Sequence, residues 1–266
     1  MAAPSPGRDA LLAAALGLAL APVFEEIAHH VAANPWTSYV VGMIPFCVLA
    51  FARAERLARP RRDGALWIAA AFALELIGLL AGPAQIGRLG IPLAAVGLAR
   101  LLGRPALPAA LLACWLVPIP NAVLRIASPQ LETLFLEIAS RGAALLGAEP
   151  LVSGVRVVVD ETRLRVLRGD GGVPLAVALA GAGWYVAVRR GAGFRGALAG
   201  AARFAIAAPF LQLATLTGVV AALPWLGSAL ARDVLTFAPW LATSAVGLAL
   251  GGREARASCA TVASPA

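Results

Sequence analysis

An all-α polytopic membrane protein of about eight transmembrane helices, with one small external insertion, is the fold class that three observations on the sequence predict. The 266-residue chain is 60% hydrophobic and 14% charged, with a mean hydropathy of +0.82, whereas soluble domains carry about 25% charged residues. Apolar stretches of about 17 to 25 residues, the length that crosses a hydrocarbon core, recur with short polar breaks between them. All 22 basic residues are Arg, and they crowd into alternate breaks.

The predicted spans run over 10–28, 37–52, 64–81, 86–102, 106–119, 172–188, 197–222 and 234–251. Pro92, Gly97, Pro105 and Pro108 interrupt the fourth and fifth, so seven spans is the alternative count; neighbouring helices can satisfy the backbone groups that such residues free. Arg53, Arg56, Arg59, Arg61 and Arg62 share one loop. Arg100 and Arg104, then Arg189, Arg190 and Arg195, then Arg253 and Arg256 mark others, against Arg88 and Arg232 on the opposite side. The positive-inside rule then puts both termini in the cytoplasm, as an even number of spans requires. The expected location is the inner (plasma) membrane of a bacterium, with membrane lipids as neighbours.

The same rule accounts for a formal charge of +8 and a pI of 11.0 without nucleic acid, which is not an expected partner. The start, MAAPSPGRDA, lacks a strongly basic region and a small-residue cleavage site, so 10–28 reads as a retained helix. Cys47 and Cys114 fall within spans and Cys259 in the tail, which gives no disulfide framework.

The chain reads as a single membrane domain over 1–266, with an external insertion at 120–171 between spans five and six. Ser128 and Pro129 read as the cap and first position of a helix. Leu131, Leu134, Phe135, Ile138, Leu145 and Leu146 recur at helical spacing up to Gly147, which defines an amphipathic interfacial helix. It can lie in the headgroup plane or form one wall of a substrate groove. Val155, Val157 and Val159, a turn at Asp160 and Glu161, then Leu164 and Val166 alternate as a β-hairpin.

Ser38-Tyr-Val-Val-Gly42 with Pro45 and the Arg-rich loop, Val117-Pro-Ile-Pro-Asn121 closing the fifth span, the helix ending in Leu145-Leu-Gly147 and the hairpin resemble, in that order, the exosortase and archaeosortase family of membrane cysteine transpeptidases. The resemblance covers most of the chain. It implies a protein that handles C-terminal sorting signals, with a sorting-signal-bearing membrane protein or an export and exopolysaccharide machinery as partner. It also implies a nucleophilic Cys after the hairpin, in Ala-Cys-Ser-Gly-x-Arg. This chain has Asp170 at the Cys position and Pro174 at the Arg position, and the His expected near the last span is absent. A transpeptidase needs a thiolate for the thioester, a group to hold that thiolate and an oxyanion donor. With these changed, the expectation is a catalytically inactive relative, a pseudoenzyme. An active peptidase or transpeptidase using another residue is the second reading, and a small transporter the third.

The candidate groove comprises Glu25, Glu26, His29, Asn121, Arg125, Arg168 and Asp170. Glu25 with His29, and Glu26 with His30, lie four apart on a helix, as metal ligands can. The chain has only these two His, so a solvated helix end is preferred and no metal or cofactor is expected. The Gly-rich run 169–172 reads as a tight turn that can also form an anion nest. Glu75 lies deep within span three, where a carboxylate requires a partner or a wet cavity; Arg88 and Arg100 are its candidate partners.

Overall fold

The computed structural model describes residues 14–34, 37–53, 63–82, 84–103, 107–166, 170 and 172–262. Helix follows wherever apolar residues run on, and most of the breaks lie at or beside Pro or Gly. In chain order the helices are α1 (Ala21–Ala33), α2 (Tyr39–Arg53), α3 (Gly64–Ala81), α4 (Ala84–Arg88), α5 (Gly90–Leu101) and α6 (Leu107–Leu111). A 3-10 turn at Leu112–Leu116 precedes α7 (Asn121–Leu145). Strands β1 (Leu151–Ser153), β2 (Arg156–Val159) and β3 (Thr162–Arg165) come next, then α8 (Val173–Arg189), α9 (Phe194–Ala221) and α10 (Leu223–Val262).

Among the described residues two helices, α3 and α9, are long and apolar enough to cross a membrane. Both turn most of their apolar surface outward: 22% of the best window of α3 and 28% of that of α9 is buried, the reverse of the core helix of a soluble protein. Leu66, Leu76 and Leu80 on α3, and Leu198, Ile206 and Phe210 on α9, are exposed.

Eight crossings are overturned, and for most of the lost spans the reason is length. At about 1.5 Å per residue, the 15 residues of α2 reach about 22 Å and the 12 of α5 about 18 Å, short of a core about 30 Å thick. The predicted span at 86–102 is divided between α4 and α5 by a turn at Leu89, with Pro92 in the first turn of α5, where proline is tolerated. The one at 106–119 is a five-residue helix followed by a 3-10 turn. The one at 172–188 is α8, whose 17 residues reach about 26 Å and are mostly buried within the protein. The first is interrupted by a turn at Leu20, and residues 10–13 lie outside the described residues. The last, 234–251, falls within α10 beyond the irregular point at Gly227 (φ 70, ψ 165), and over the described residues α10 does not combine the length and hydropathy of a crossing.

Glycine sets how closely the helices approach. On α3 the small residues Gly64, Ala71 and Gly78 recur every seven positions and face Gly97, Gly90 and Gly87 in turn. A Cβ on Gly64 would lie 2.6 Å from the Gly97 carbonyl oxygen, one on Gly90 2.9 Å from that of Ala71, and one on Gly78 2.7 Å from the Gly87 nitrogen. Backbones this close are the mark of small-residue helix packing. Gly183 on α8 and Gly200 on α9 make the same reciprocal contact.

The largest apolar core joins α1, α2, α8 and the start of α9, with Met43, Phe46, Trp184 and Tyr185 at its centre; the Phe46 and Tyr185 rings stack at 4.8 Å. Two long-range hydrogen bonds fix the chain around it. The Ile119 N–H donates to the Tyr39 hydroxyl (3.1 Å), holding the Pro118-Ile-Pro120 segment, and the Trp184 indole donates to the Pro108 carbonyl (2.6 Å).

A second core lies under the insertion. The helix there begins at Asn121, ahead of the Ser128 start that the sequence suggests, and Pro129 lies inside it. The antiparallel sheet has order β1-β2-β3, one strand more than the expected hairpin. Val159 pairs with Thr162 across a two-residue turn in which Asp160 (φ 46) and Glu161 (φ 70) both take positive φ, the primed geometry that matches strand twist. Val157, Val159, Leu164 and Val166 are buried against Leu136, Ala139, Leu216, Val220 and Leu235.

Candidate functional site

The segment after β3 re-enters the helices at Asp170, which is 7% exposed. Its Oδ2 accepts a hydrogen bond from Nη1 of Arg232 on α10 (2.7 Å), and its backbone carbonyl accepts one from Nε2 of the buried Gln212 on α9 (2.9 Å). Gly172 stands just beyond at φ +83, where a Cβ would meet the Phe135 ring at 3.3 Å and Gln212 at 3.4 Å, so the turn needs glycine on both conformational and packing grounds. Pro174 is buried in the first turn of α8, where its missing N–H costs nothing. A buried carboxylate in such a pair is committed to structure: Asp170 clasps the sheet to α9 and α10.

The acidic end of α1 divides into two pairs with different fates. Glu25 and His29 lie 3.7 Å apart and are 76% and 80% exposed, a solvated helix face. Glu26 accepts from the guanidinium of Arg88 on α4 at 2.7 Å. Arg88 is 3% exposed, and its Nη1 has no hydrogen-bond partner among the described residues. Burial, then the Arg88 charge, hold the His30 imidazole below the ordinary histidine value of 6.5, with Glu26 acting the other way.

Arg88 is thus committed to Glu26, and Arg100 pairs with Asp63 and lies over the Trp67 ring at 5.3 Å. Neither supplies the partner that the sequence suggests for Glu75. Glu75 is 7% exposed and lines a cavity of about 300 Å³ with Glu26, Pro22, Val23, Gly78, Leu79, Gly82 and Gly87.

The candidate residues therefore do not form one cleft. Asp170 belongs with Arg232 and Gln212 beside the second core, Glu26 belongs with Arg88 and the α1–α3–α4 cavity, and Glu25 and His29 face outward. Asn121 and Arg125 lie on the first turns of α7, their side chains outside the described residues, as is Arg168 entirely. Among the described residues no group of three or more His, Cys, Asp or Glu could hold a metal ion.

An open groove of about 500 Å³ lies between the last turns of α7 and β1, lined by Glu137, Ser140, Arg141, Ala144 and the segment from Ala148 to Val152. The Ser140 hydroxyl is buried without a hydrogen-bond partner among the described residues. Leu145, Leu146, Leu151 and Val152 are exposed around it. Sequence reasoning missed Ser140, Gln212 and Arg232. Ser140 stands among Glu137 and Arg141 on an amphipathic helix and carries no signal of its own; Gln212 lies between Leu211 and Leu213, the one signal that marks it, while Arg232 reads as an ordinary loop charge.

Comparison with protein-family models, with curated proteins and with solved structures finds no match for this chain.

Proposed function

We propose that this chain is an exosortase-like membrane protein without transpeptidase chemistry, which binds the sorting-signal segment of a membrane-bound partner in the groove between α7 and β1. The observation that carries this reading is the groove itself. It combines an exposed apolar rim, charges of both signs at Glu137, Arg141 and Glu149, and a sheet edge at β1, which pairs on one side with β2. An extended peptide can add to such an edge through its main chain while its side chains enter the groove. The inactivity rests on Asp170: a carboxylate cannot form a thioester, and this one is already bound to Arg232.

The proposed setting is the inner membrane, with lipid around α3 and α9, both termini cytoplasmic and the insertion outside. Support comes from the Arg-rich stretches before α3 and near the C-terminus. The partner class includes components of an export system that presents such signals.

The test is recovery of a signal-bearing membrane protein after mild detergent extraction, comparing the natural chain with Arg141→Glu and Leu151→Asp. Both changes lie on exposed or half-exposed groove positions and should lower recovery at least tenfold with folding unchanged. Equal recovery with both variants, or none with the natural chain, would overturn the proposal.

A further inference from the structure

We infer that the cavity between α1, α3 and α4 is a binding site for a small organic ammonium group, with Glu75 as its counter-ion. The cavity holds about 300 Å³, room for a head group and a few methylenes. Its walls are Pro22, Val23, Leu79 and the glycines Gly78, Gly82 and Gly87, and its acidic groups are Glu26 and Glu75. Glu26 is neutralised by Arg88 at 2.7 Å. Glu75 has no hydrogen-bond or ion-pair partner among the described residues, although it is 7% exposed and sits in a helix able to cross a membrane. One carboxyl group facing the cavity is therefore left without a partner, and in that position it calls for a cation or a proton.

The donor set selects the kind of cation. A hard metal ion takes six or more oxygen ligands or keeps its water, whereas this cavity offers one uncommitted carboxylate among apolar walls. An ammonium head needs a single carboxylate for a charge-assisted hydrogen bond, and its alkyl body gains from Pro22, Val23 and Leu79. Gly78 and Gly87 keep the space open while holding α3 to α4, since a Cβ on Gly78 would strike the Gly87 backbone. The ammonium group can come from a free amine or from an ethanolamine lipid headgroup, and both present the same chemistry.

The experiment measures binding of n-butylammonium at pH 8 to the full chain in phosphatidylglycerol nanodiscs, with and without phosphatidylethanolamine. Saturable binding is expected, weakened at least tenfold by Glu75→Gln, blocked by the cavity-filling Leu79→Trp and unchanged by Asp160→Asn in the distant hairpin turn. Binding that persists in ethanolamine lipid assigns the site to a free amine, while binding displaced by that lipid assigns it to the headgroup. No saturable binding, equal binding by Glu75→Gln, or equal competition by potassium would overturn the inference. None of these outcomes depends on the α7–β1 groove.

Discussion

Asp170 illustrates how a residue's environment decides its role. In the sequence it marks the position at which a nucleophile is expected, and no local signal says what it touches, because its partner Arg232 lies 62 residues away. The structure makes it half of a buried ion pair. Asp170→Ala leaves Arg232 uncompensated at a side-chain exposure of 23%, and breaking such a pair costs about 3 kcal/mol. The expected outcome is a clear fall in the thermal midpoint, with the double change Asp170→Ala and Arg232→Ala costing less than the sum of the two. Additive losses would refute the pairing. His30 supplies a second residue-scale expectation. Its proton affinity is lowered on folding, so the unfolded chain binds the proton more tightly and folded stability falls as pH drops below about 6.5. His30→Gln should flatten the difference in thermal midpoint between pH 7.5 and 5.5; an undiminished slope would assign that dependence to other groups.

At the scale of elements, the insertion was the more legible part. The period-two alternation of Val157, Val159 and Leu164 comes from the same cause as their burial, and Asp160-Glu161 lies where the alternation breaks. Span lengths were less legible, because hydropathy averages over a window and does not see the turns at Leu20 and Leu89 that divide two of the apolar stretches. The glycines show the same limit. Gly97 reads in sequence as an interruption, yet it is where α5 meets Gly64 of α3 with a prospective Cβ 2.8 Å from the carbonyl oxygen. Gly97→Leu has no room there, and overpacking of this kind costs about 3 kcal/mol. The measurement is a thermal or denaturant midpoint in detergent; Gly17→Leu, with nothing within 4 Å of its Cβ position, should leave it unchanged.

For the whole molecule, high hydropathy told correctly that much apolar surface lies on the outside, but not how many times the chain crosses. Crossing number depends on helices that are both long and apolar, and among the described residues only α3 and α9 are both. Cysteine-accessibility labelling of both termini in intact cells should find them protected and the Asp160 turn reachable; labelled termini would sink the proposed orientation. The separation in sequence of the contacts also bears on how the chain assembles. The glycine seam of α3 with α5 and the reciprocal Gly183–Gly200 contact of α8 with α9 each close within one hairpin of the chain. Arg232 to Asp170, Arg88 to Glu26 and Ile119 to Tyr39 span 62 to 80 residues. Short loops close with less entropy loss than long ones, so the two helical hairpins form early and the polar clasps late. Intermediates that hold these hairpins with the sheet still undocked would leave the apolar face of Val157, Val159 and Leu164 uncovered until α7, α9 and α10 close over it.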